Sequence, residues 1–423
     1  MLDIKLIRKD PQAIEKKLKS KEPSVSLEPL VKLDQEIRDA KTRGEALKAK
    51  KNEASARIGE LKRKGESTEN IVNEVANHAE EIHQLDQKLV HLEASFLDMI
   101  ARLPNIPLDE IKVASDPKEN VVVKEVGKKA EFDFPFKNHL ELNEKLKLFD
   151  FKRGAKISGS GWPLYRGWGA RLEWALLNYM IETHLKNGFE QWIPPICVRR
   201  DTLFWAGQLP KFDNQQFHIK DEDYDLYLIP TAEVPLNGLH GQEILTEEEL
   251  PLKYIAYTPC FRREAGAAGK DERGLIRTHQ FNKVEMFAFT TPETSSQVFE
   301  EMMQSAEEVL HGLELHYRTM LLVTGDMSFA STKTLDIEVW LPGQNRYYEV
   351  SSVSNCTDYQ SRRSEARYRN KEGKLEFVHT LNGSGLATSR LMVALLENNQ
   401  QKDGSVIIPK ALRKYLGGRE KLE

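Results

Sequence analysis

A segment near the middle of the chain carries an arginine, two glutamates and an aromatic ring at strand spacing. It reads FRREAGAAGKDERGLIRTHQFNKVE, residues 261–285, and its apolar ends predict two strands joined by a Gly-rich charged loop. Side chains alternate along a strand, so Arg262 and Glu264 share one face and Phe281, Lys283 and Glu285 share another. Arginine can bind a phosphate through two hydrogen bonds, glutamate can hold an ammonium group, and phenylalanine can stack on a base. Taken alone, the pattern is more typical of a surface hairpin whose ion pairs each contribute little.

Two proline residues bound a short loop that contains a hydroxyl and a carboxylate. The stretch PTAEVPL, residues 230–236, places Thr231 and Glu233 in this loop. Alone, such a stretch indicates a turn with a solvated glutamate.

A predicted aromatic strand, residues 347–350, ends in a carboxylate and two hydroxyls, Glu349, Ser351 and Ser352. These groups can hold Mg²⁺, which takes few protein ligands beside phosphate oxygens. Glu349 and Ser352 have opposite parity on a regular strand, so their convergence requires a bulge or a strand end between them.

Near the C-terminus, TLNGSGLATSR, residues 380–390, predicts a helix start preceded by small residues. A helix N-terminus beside small residues is an anion site, and Arg390 about one turn into the helix can meet a phosphate chain. The alternative for the isolated segment is a capped helix with a surface arginine.

The region that positions these residues is expected to be an antiparallel sheet flanked by helices, an α+β fold. From Gly154 onward strands, loops and helices mix without a regular alternation, and neither GxGxxG nor GxxxxGK[ST] occurs. These features argue against a parallel nucleotide-binding sheet and favour an antiparallel one. A helix over 172–186 followed by a short strand before Pro194 completes the predicted core.

Heptad spacing of apolar residues predicts two long helices over about 27–101, interrupted at Gly65. Residues 27–64 hold 11 Lys/Arg and 7 Asp/Glu, whereas residues 66–103 hold 2 and 8, so the helices attract each other as an antiparallel pair. A dimerisation rod is the alternative. The break in the middle and the cations near the tip favour a projecting arm; these cations are Arg57, Lys62, Arg63 and Lys64.

Before the arm, Asp10-Pro11 predicts the capped start of a short helix that reaches about Lys21. After the arm, prolines punctuate a linker, and residues 121–127 predict an edge strand. The domain boundary is therefore placed near residue 104, giving an N-terminal domain of 1–103 and a second domain of 104–423.

Bulk composition predicts a soluble cytoplasmic protein with two or three domains. Of its 423 residues, 40% are hydrophobic and 30% charged, and the net charge is −4, so an RNA site must be a local basic patch. No apolar run approaches the roughly 18–20 residues of a membrane span, and the N-terminus lacks the apolar core of a signal peptide. The three cysteines are scattered and form no metal motif, which fits a reducing compartment.

Together, these segments resemble the class II aminoacyl-tRNA synthetases, and the seryl-tRNA synthetase family in particular. The resemblance covers nearly the whole chain, with motif 1 at about 172–195, motif 2 at about 254–289 and motif 3 at about 380–398. Several ordered motifs in one chain are far stronger evidence than any one alone. Thr388-Ser389 departs from the usual Val/Ile-Gly/Pro before the motif 3 arginine, so local packing differences are expected there.

The resemblance implies ATP and Mg²⁺ as substrate and cofactor, and a homodimer built on motif 1. The implied catalytic residues are Arg262, Glu285 and Arg390. The implied serine-binding residues are Thr231, Ala232, Glu233, Glu285, Asn382 and Ser384. The implied ATP-binding residues are Arg262, Arg263, Glu264, Thr278, Phe281, Glu349, Val350, Ser351, Ser352 and Arg390, with Mg²⁺ on Glu349 and Ser352.

The resemblance further implies that serine is activated to seryl-adenylate and transferred to tRNA(Ser), and also to tRNA(Sec), with the arm gripping the tRNA. A basic run, Arg362, Arg363, Arg367 and Arg369, is a hypothetical contact for the tRNA acceptor end. The alternatives are a relative that charges a carrier protein, a non-catalytic scaffold, and a synthetase for threonine or proline. The long arm argues against the first, the intact motif residues against the second, and the absence of room for a C-terminal anticodon-binding domain against the third.

Overall fold

The computed structural model describes residues 1–264 and 274–423, and the Gly-rich loop predicted within motif 2, residues 265–273, lies outside the described residues. The chain divides into one unit of Leu2–Leu103 and a second of Pro104–Glu423 with Met1.

The N-terminal unit is helical, with α1 (Ile4–Lys9), α2 (Pro11–Lys19), α3 (Glu28–Lys64) and α4 (Glu69–Ala101). The Asp10 side chain accepts a hydrogen bond from the amide of Ala13, 2.9 Å away, so the predicted cap of α2 is confirmed. Gly65 ends α3 in the left-handed conformation, φ +74°, which a glycine adopts without strain.

The long helices α3 and α4 pair as the heptads and charges predict. Leu30, Ile37 and Leu47 are buried along the α3 face of the seam. Across it, Lys41 binds Glu93 at 2.7 Å, and Arg43 binds Glu81. With 37 and 33 residues, the helices are about 55 and 50 Å long at ~1.5 Å per residue.

Within the described residues, the second unit combines helices with one large β-sheet and three small ones. Its helices are α5 (His139–Leu146), α6 (Phe151–Ser158), α7 (Trp168–Lys186), α8 (Arg200–Trp205), α9 (Glu233–Gly238), α10 (Ser295–Gly312), α11 (Ser361–Ser364), α12 (Thr388–Asn398) and α13 (Lys410–Arg413). Its strands are β1 (Val121–Val126), β2 (Glu190–Trp192), β3 (Cys197–Arg199), β4 (Phe217–Lys220), β5 (Asp225–Leu228), β6 (Ile244–Thr246), β7 (Leu252–Phe261), β8 (Gln280–Thr290), β9 (Tyr317–Leu321), β10 (Lys333–Leu341), β11 (Arg346–Thr357), β12 (Arg367–Arg369), β13 (Leu375–Phe377), β14 (His379–Ala387), β15 (Val406–Ile407) and β16 (Lys421–Leu422).

The main sheet has the order β1-β9-β10-β11-β14-β8-β7-β2, and its pairs are antiparallel except for β2 with β7 at one edge. The predicted α+β architecture is confirmed, as is the edge strand β1. The apolar core lies between this sheet and helices α7, α10 and α12, where Leu176, Met302 and Leu395 are fully buried. The opposite face of the sheet, which carries Lys283 and Glu285 on β8, therefore points away from that core.

Two local assignments differ from the sequence predictions. The aromatic strand does not end at Ser352, because β11 continues to Thr357 through pairing with β14. Glu233 is the first residue of α9 and not a loop residue, since proline is tolerated in the first turn of a helix. The small residues at 382–385 lie inside β14, and this strand runs directly into the predicted helix, α12.

Close packing of β14 against α7 gives a test of the core. A Cβ on Gly385 would overlap the His184 ring, which is fully buried and bonded to Ser305 Oγ at 2.7 Å. Gly385→Ala is expected to destabilise the second unit by about 1–3 kcal/mol through overpacking, measured by denaturant unfolding with tryptophan fluorescence. All six tryptophans lie in this unit.

Gly59→Ala is the matched control, because a Cβ on Gly59 in α3 meets nothing within 4 Å. It is expected to leave the tryptophan transition unchanged. An unchanged transition for Gly385→Ala would show that His184 is not rigidly held.

Candidate active site

Three neighbouring strands, β8, β14 and β11, bring motif 2, motif 3 and the predicted metal residues together. Glu285 on β8 is the register partner of Ser384 on β14, and Asn382 on β14 is the partner of Ser354 on β11. Residues separated by about a hundred positions in sequence thus become cross-strand neighbours, whose side chains approach closely.

Two adjoining cavities open above these strands, of about 400 and 200 Å³. The larger is lined by Thr231, Glu233, Glu285, Asn382 and Ser352, among others. The smaller is lined by Thr278, Phe281, Ser389 and Arg390, among others. Both are lined by Arg262, Glu264, Lys283, Glu349 and Ser384, so these residues form the junction between the cavities.

At the junction, a buried lysine neutralises the motif 2 glutamate. Lys283 and Glu285 are 5% and 2% exposed and form an ion pair on one face of β8. The Lys283 ammonium also donates to Thr231 Oγ1 at 2.8 Å, which connects β8 to the 230–236 segment. Sequence reasoning placed Lys283 on this face but assigned it no role, because its long-range partner Thr231 cannot be read from spacing.

A second carboxyl, Glu233, faces the larger cavity and is held by two side-chain amides. Gln360 Nε2 donates to its Oε1 at 2.7 Å, and Asn382 Nδ2 donates to the same atom at 3.2 Å. Burial, and then the charge of Glu285, raise the pKa of Glu233 to about 7. Gln360 was missed by sequence reasoning, since its contact with Glu233, 127 residues away in the chain, cannot be read from spacing.

The smaller cavity places an arginine over an aromatic ring. The Arg262 guanidinium lies 5.1 Å from the centre of the Phe281 ring, and its Nε donates to the Pro230 carbonyl at 3.3 Å. Glu264 accepts from Arg277 at 3.2 Å, which fixes the carboxylate near the ring. Arg390, the third residue of α12, donates to the Glu349 carbonyl at 2.7 Å.

The metal-binding prediction required a bulge, and one is present. The register of β10 and β11 shifts so that Ile337 pairs with Ser351 and Glu338 pairs with Glu349, leaving Val350 as the extra residue. Glu349 and Ser352 consequently line the same cavity. Beside them lies Asp336 on β10, the register partner of Ser352.

Asp336 offers a third oxygen ligand for a cation, beside Glu349 and Ser352. Its Oδ1 is buried without a hydrogen-bond partner among the described residues. Burial, and then the charge of Glu349, raise the pKa of Asp336 well above its usual range. Carboxylate and hydroxyl oxygens are the donors that Mg²⁺ prefers, and a cation would satisfy the orphaned oxygen, so these residues fit the ion.

Four of the predicted binding residues do not line either cavity. Ala232 is fully buried in an apolar cluster, Val350 is buried in the main core, and Ser351 Oγ donates to the Ser384 carbonyl at 2.6 Å. Arg263 lines a separate pocket with Arg200 and His218, among others. Their side chains lie next to the site, and their predicted roles stay predictions.

Arg362 and Arg363, two of the four arginines in the basic run after β11, are held by partners within the protein. Arg363 is 4% exposed and donates to the carbonyl oxygens of Phe204 and Leu209 and to the Tyr359 hydroxyl. Arg362 is paired with Asp358 at 2.7 Å. The hypothesis of a tRNA contact is therefore wrong for Arg363, whose guanidinium is occupied within the core.

The predicted arm cations are exposed on α3, the last three at its C-terminal end, where Lys64 pairs with Glu60 at 2.7 Å. In the part of the chain that the structure describes, no helix is long and apolar enough to cross a membrane.

Family models match both units of the chain. The tRNA synthetase class II core domain (G, H, P, S and T) matches residues 216–399, and the seryl-tRNA synthetase N-terminal domain matches residues 1–107. Fold, motifs and cavities together define a class II aminoacyl-tRNA synthetase.

Similar proteins show to which family of this class the chain belongs. A serine–tRNA ligase of Chlamydia felis is 55% identical over 422 residues, covering 100% of this chain and 99% of the relative, and that of Chlamydia pneumoniae is 54% identical over 420 residues, covering 99% and 98%. The chain belongs to the seryl-tRNA synthetase family.

Solved structures agree with this assignment. Seryl-tRNA synthetase from Pyrococcus horikoshii complexed with ATP superimposes with a TM-score of 0.94 at 37% identity, covering 100% of this chain and 99% of that one. Cytoplasmic serine–tRNA ligase from Naegleria fowleri in complex with AMP gives a TM-score of 0.90 at 28% identity, with the same coverage.

The support of Glu233 by Gln360 gives a test of the larger cavity. Gln360→Met keeps the approximate side-chain volume but removes the amide that donates to Glu233, so the KM for serine is expected to rise about tenfold. The KM for ATP is expected to stay unchanged. Pyrophosphate exchange measures both constants.

Gln297→Met, on an exposed position of α10, is the control and is expected to change neither constant. A Gln360→Met protein with wild-type melting temperature and unchanged KM for serine would contradict the role assigned to Gln360.

Proposed function

We propose that the protein activates L-serine with ATP to seryl-adenylate and transfers serine to the 3′ end of tRNA(Ser). The observation that carries this proposal is the junction between the two cavities, where Arg262 and Lys283 lie together. Adenylation joins a carboxylate to an α-phosphate, so two anions must be brought into contact. Cations fixed at the meeting point of the two cavities offset this repulsion without a protein nucleophile.

Serine fits the larger cavity. Its ammonium faces Glu285 and Glu233, and its hydroxyl faces Thr231, Asn382 and Ser384. When the ammonium binds Glu285, Lys283 is released from part of its ion pair and can turn its charge to the serine carboxylate. Polar groups built around a hydroxyl reject alanine strongly, because alanine leaves them unpaired, whereas threonine is excluded by size alone.

ATP fits the smaller cavity. The base stacks on Phe281 with Glu264 near its amino group, Arg262 binds the α-phosphate, and Arg390 binds the far end of the triphosphate. Mg²⁺ would be held by Glu349 and Ser352, with Asp336 beside them, and would supply charge neutralisation for the phosphates.

The transfer step requires tRNA, and the α3–α4 arm suits it. A rigid paired-helix rod with exposed cations near its tip matches recognition of RNA by backbone and shape. Charging of tRNA(Sec) belongs to the same proposal. Exposed apolar residues on and around the motif 1 strand, Trp192 and Ile193 among them, support a homodimer.

Amino-acid-dependent ATP–pyrophosphate exchange without tRNA tests the activation step. Exchange is expected with serine and not with alanine, threonine, cysteine or glycine. Glu285→Ala is expected to reduce exchange by at least about 1000-fold, because it removes the ammonium partner and leaves Lys283 buried without its counter-charge.

The comparison variant for this test is Glu301→Ala, an acidic residue on α10 that pairs with Lys253 at 3.2 Å outside both cavities. Its exchange is expected to match that of the wild type. A folded Glu285→Ala protein with wild-type exchange would overturn the serine site, and exchange with serine but no charging of tRNA(Ser) would favour a carrier-directed enzyme.

The arm is tested separately from the chemistry. The combined variant Lys62→Ala, Arg63→Ala, Lys64→Ala is expected to raise the KM for tRNA(Ser) by about tenfold or more, since each lost cation is a lost phosphate contact. Exchange without tRNA should be unaffected. The control is the combined variant Lys371→Ala, Lys374→Ala, Lys402→Ala, which removes three exposed lysines of the second unit. Equal effects of the two triple variants on the KM for tRNA(Ser) would show that the total positive charge matters and its position on the arm does not.

A further inference from the structure

A buried carboxyl group, Glu173 on α7, connects three elements of the site without lining either cavity. The residue is 4% exposed. Its Oε1 accepts a hydrogen bond from Asn282 Nδ2 at 2.8 Å and lies 2.5 Å from Thr388 Oγ1. Asn282 stands on β8 directly between Phe281 and Lys283, and Thr388 begins α12 two residues before Arg390.

The count of protons around Thr388 favours the acid form of Glu173. Thr388 has a single hydroxyl proton, but its Oγ1 lies within hydrogen-bond distance of both Glu173 Oε1 and, at 3.0 Å, the carbonyl oxygen of Asn282. A carbonyl oxygen can only accept, so Thr388 can donate to it while a protonated Glu173 donates to Thr388. An ionised Glu173 would compete with that carbonyl for the one proton.

The surroundings of Glu173 also disfavour a charge. Its second oxygen, Oε2, is buried with no hydrogen-bond partner among the described residues. The titratable groups that face it are two phenols, Tyr165 before α7 and Tyr257 on β7. Burial first, and then the charge of an ionised Glu173, raise the pKa of both phenols, so they stay neutral and offer no counter-charge.

We propose that Glu173 is a positioning residue that, as the neutral acid, fastens the N-terminus of α12 to β8 and so holds Arg390 in register with Phe281 and Lys283. The link runs from Glu173 through the Thr388 hydroxyl to the Asn282 carbonyl. Loss of the proton turns the Thr388 hydroxyl to Glu173 and breaks its hydrogen bond to the Asn282 carbonyl, which loosens α12 from β8 two residues before Arg390. The functional half of the inference rests on the proposed role of Arg390 in ATP binding.

The same link makes the site sensitive to pH. Burial raises the pKa of Glu173 from its ordinary value of 4.5 to about 7 in the folded protein. Between these values the folded state holds a proton that the unfolded chain has lost. Folding stability therefore falls as the pH rises from about 4.5 to 7 and stays lower above that range.

Glu173→Gln tests the neutral form, because glutamine keeps the shape and cannot ionise. The melting temperature of Glu173→Gln minus that of the wild type is expected to increase as the pH rises from 5 to 8. This readout requires no substrate, so it separates failure of the inference from failure of the proposed function. A difference that is constant over this range would overturn the neutral acid.

Kinetics test the positioning role. In the wild type, the KM for ATP in pyrophosphate exchange is expected to rise about fivefold between pH 6.5 and 8.5, the equivalent of one hydrogen bond. In Glu173→Gln the KM is expected to change by less than about twofold over the same range. Glu182→Gln, a partly exposed position on the same helix that pairs with Lys414, should follow the wild-type profile.

Thr388→Val identifies the titrating group. It removes the partner of Glu173 and is expected to shift the midpoint of the KM profile for ATP. An unshifted midpoint would assign the titration to another group, such as Glu233, and would overturn the inference, as would a Glu173→Gln profile that still rises.

Discussion

The site depends on cations that are held in place by carboxylates of the same chain. Lys283 is paired with Glu285, Arg390 lies 3.6 Å from Glu349, and Arg277 binds Glu264 at 3.2 Å. The proposed reaction between a carboxylate and a triphosphate needs positive charge, yet an unpaired buried cation would cost free energy on folding. Internal pairing resolves this conflict, because each carboxylate can be drawn to a ligand ammonium or a metal ion while its cation turns to a phosphate or carboxylate.

Such pairing is possible because the sheet sets the distances between these cations and carboxylates. Lys283 and Glu285 are two residues apart on one strand, which places them on one face. Glu349 comes within reach of Arg390 only because β11 lies beside β14 and is bulged at Val350. An unbulged strand would turn either Glu349 or Ser352 to the opposite face, and the two predicted metal-binding residues would be separated.

The residues of the candidate site could be grouped from sequence through the family resemblance, because each short segment taken alone is as typical of a surface hairpin, a turn or a capped helix. The hairpin strands, the capped start of α2 and the paired arm helices, in contrast, follow from local patterns of apolar and capping residues. Predicting where strands end was less successful, since β11 is prolonged beyond Ser352 by pairing with β14, more than twenty residues further along the chain. Gln360, Asp336 and Glu173 were missed because their importance arises entirely from partners brought together by the fold.

Glu173 also explains a local departure in the motif 3 segment. A threonine stands where an aliphatic residue is usual, and its hydroxyl would cost free energy in this buried position without partners. Glu173 and the Asn282 carbonyl provide them, from α7 and β8. Glu173 and Glu233 are both buried carboxyls held by amide or hydroxyl groups, and both have a pKa near 7. Neutral donors offset only part of the cost of burying a charge, so these two groups keep their protons at a pH where an exposed glutamate has lost its own. The site thus contains carboxyls that serve as counter-ions and carboxyls that titrate, and the kind of partner that the fold supplies decides between the two roles.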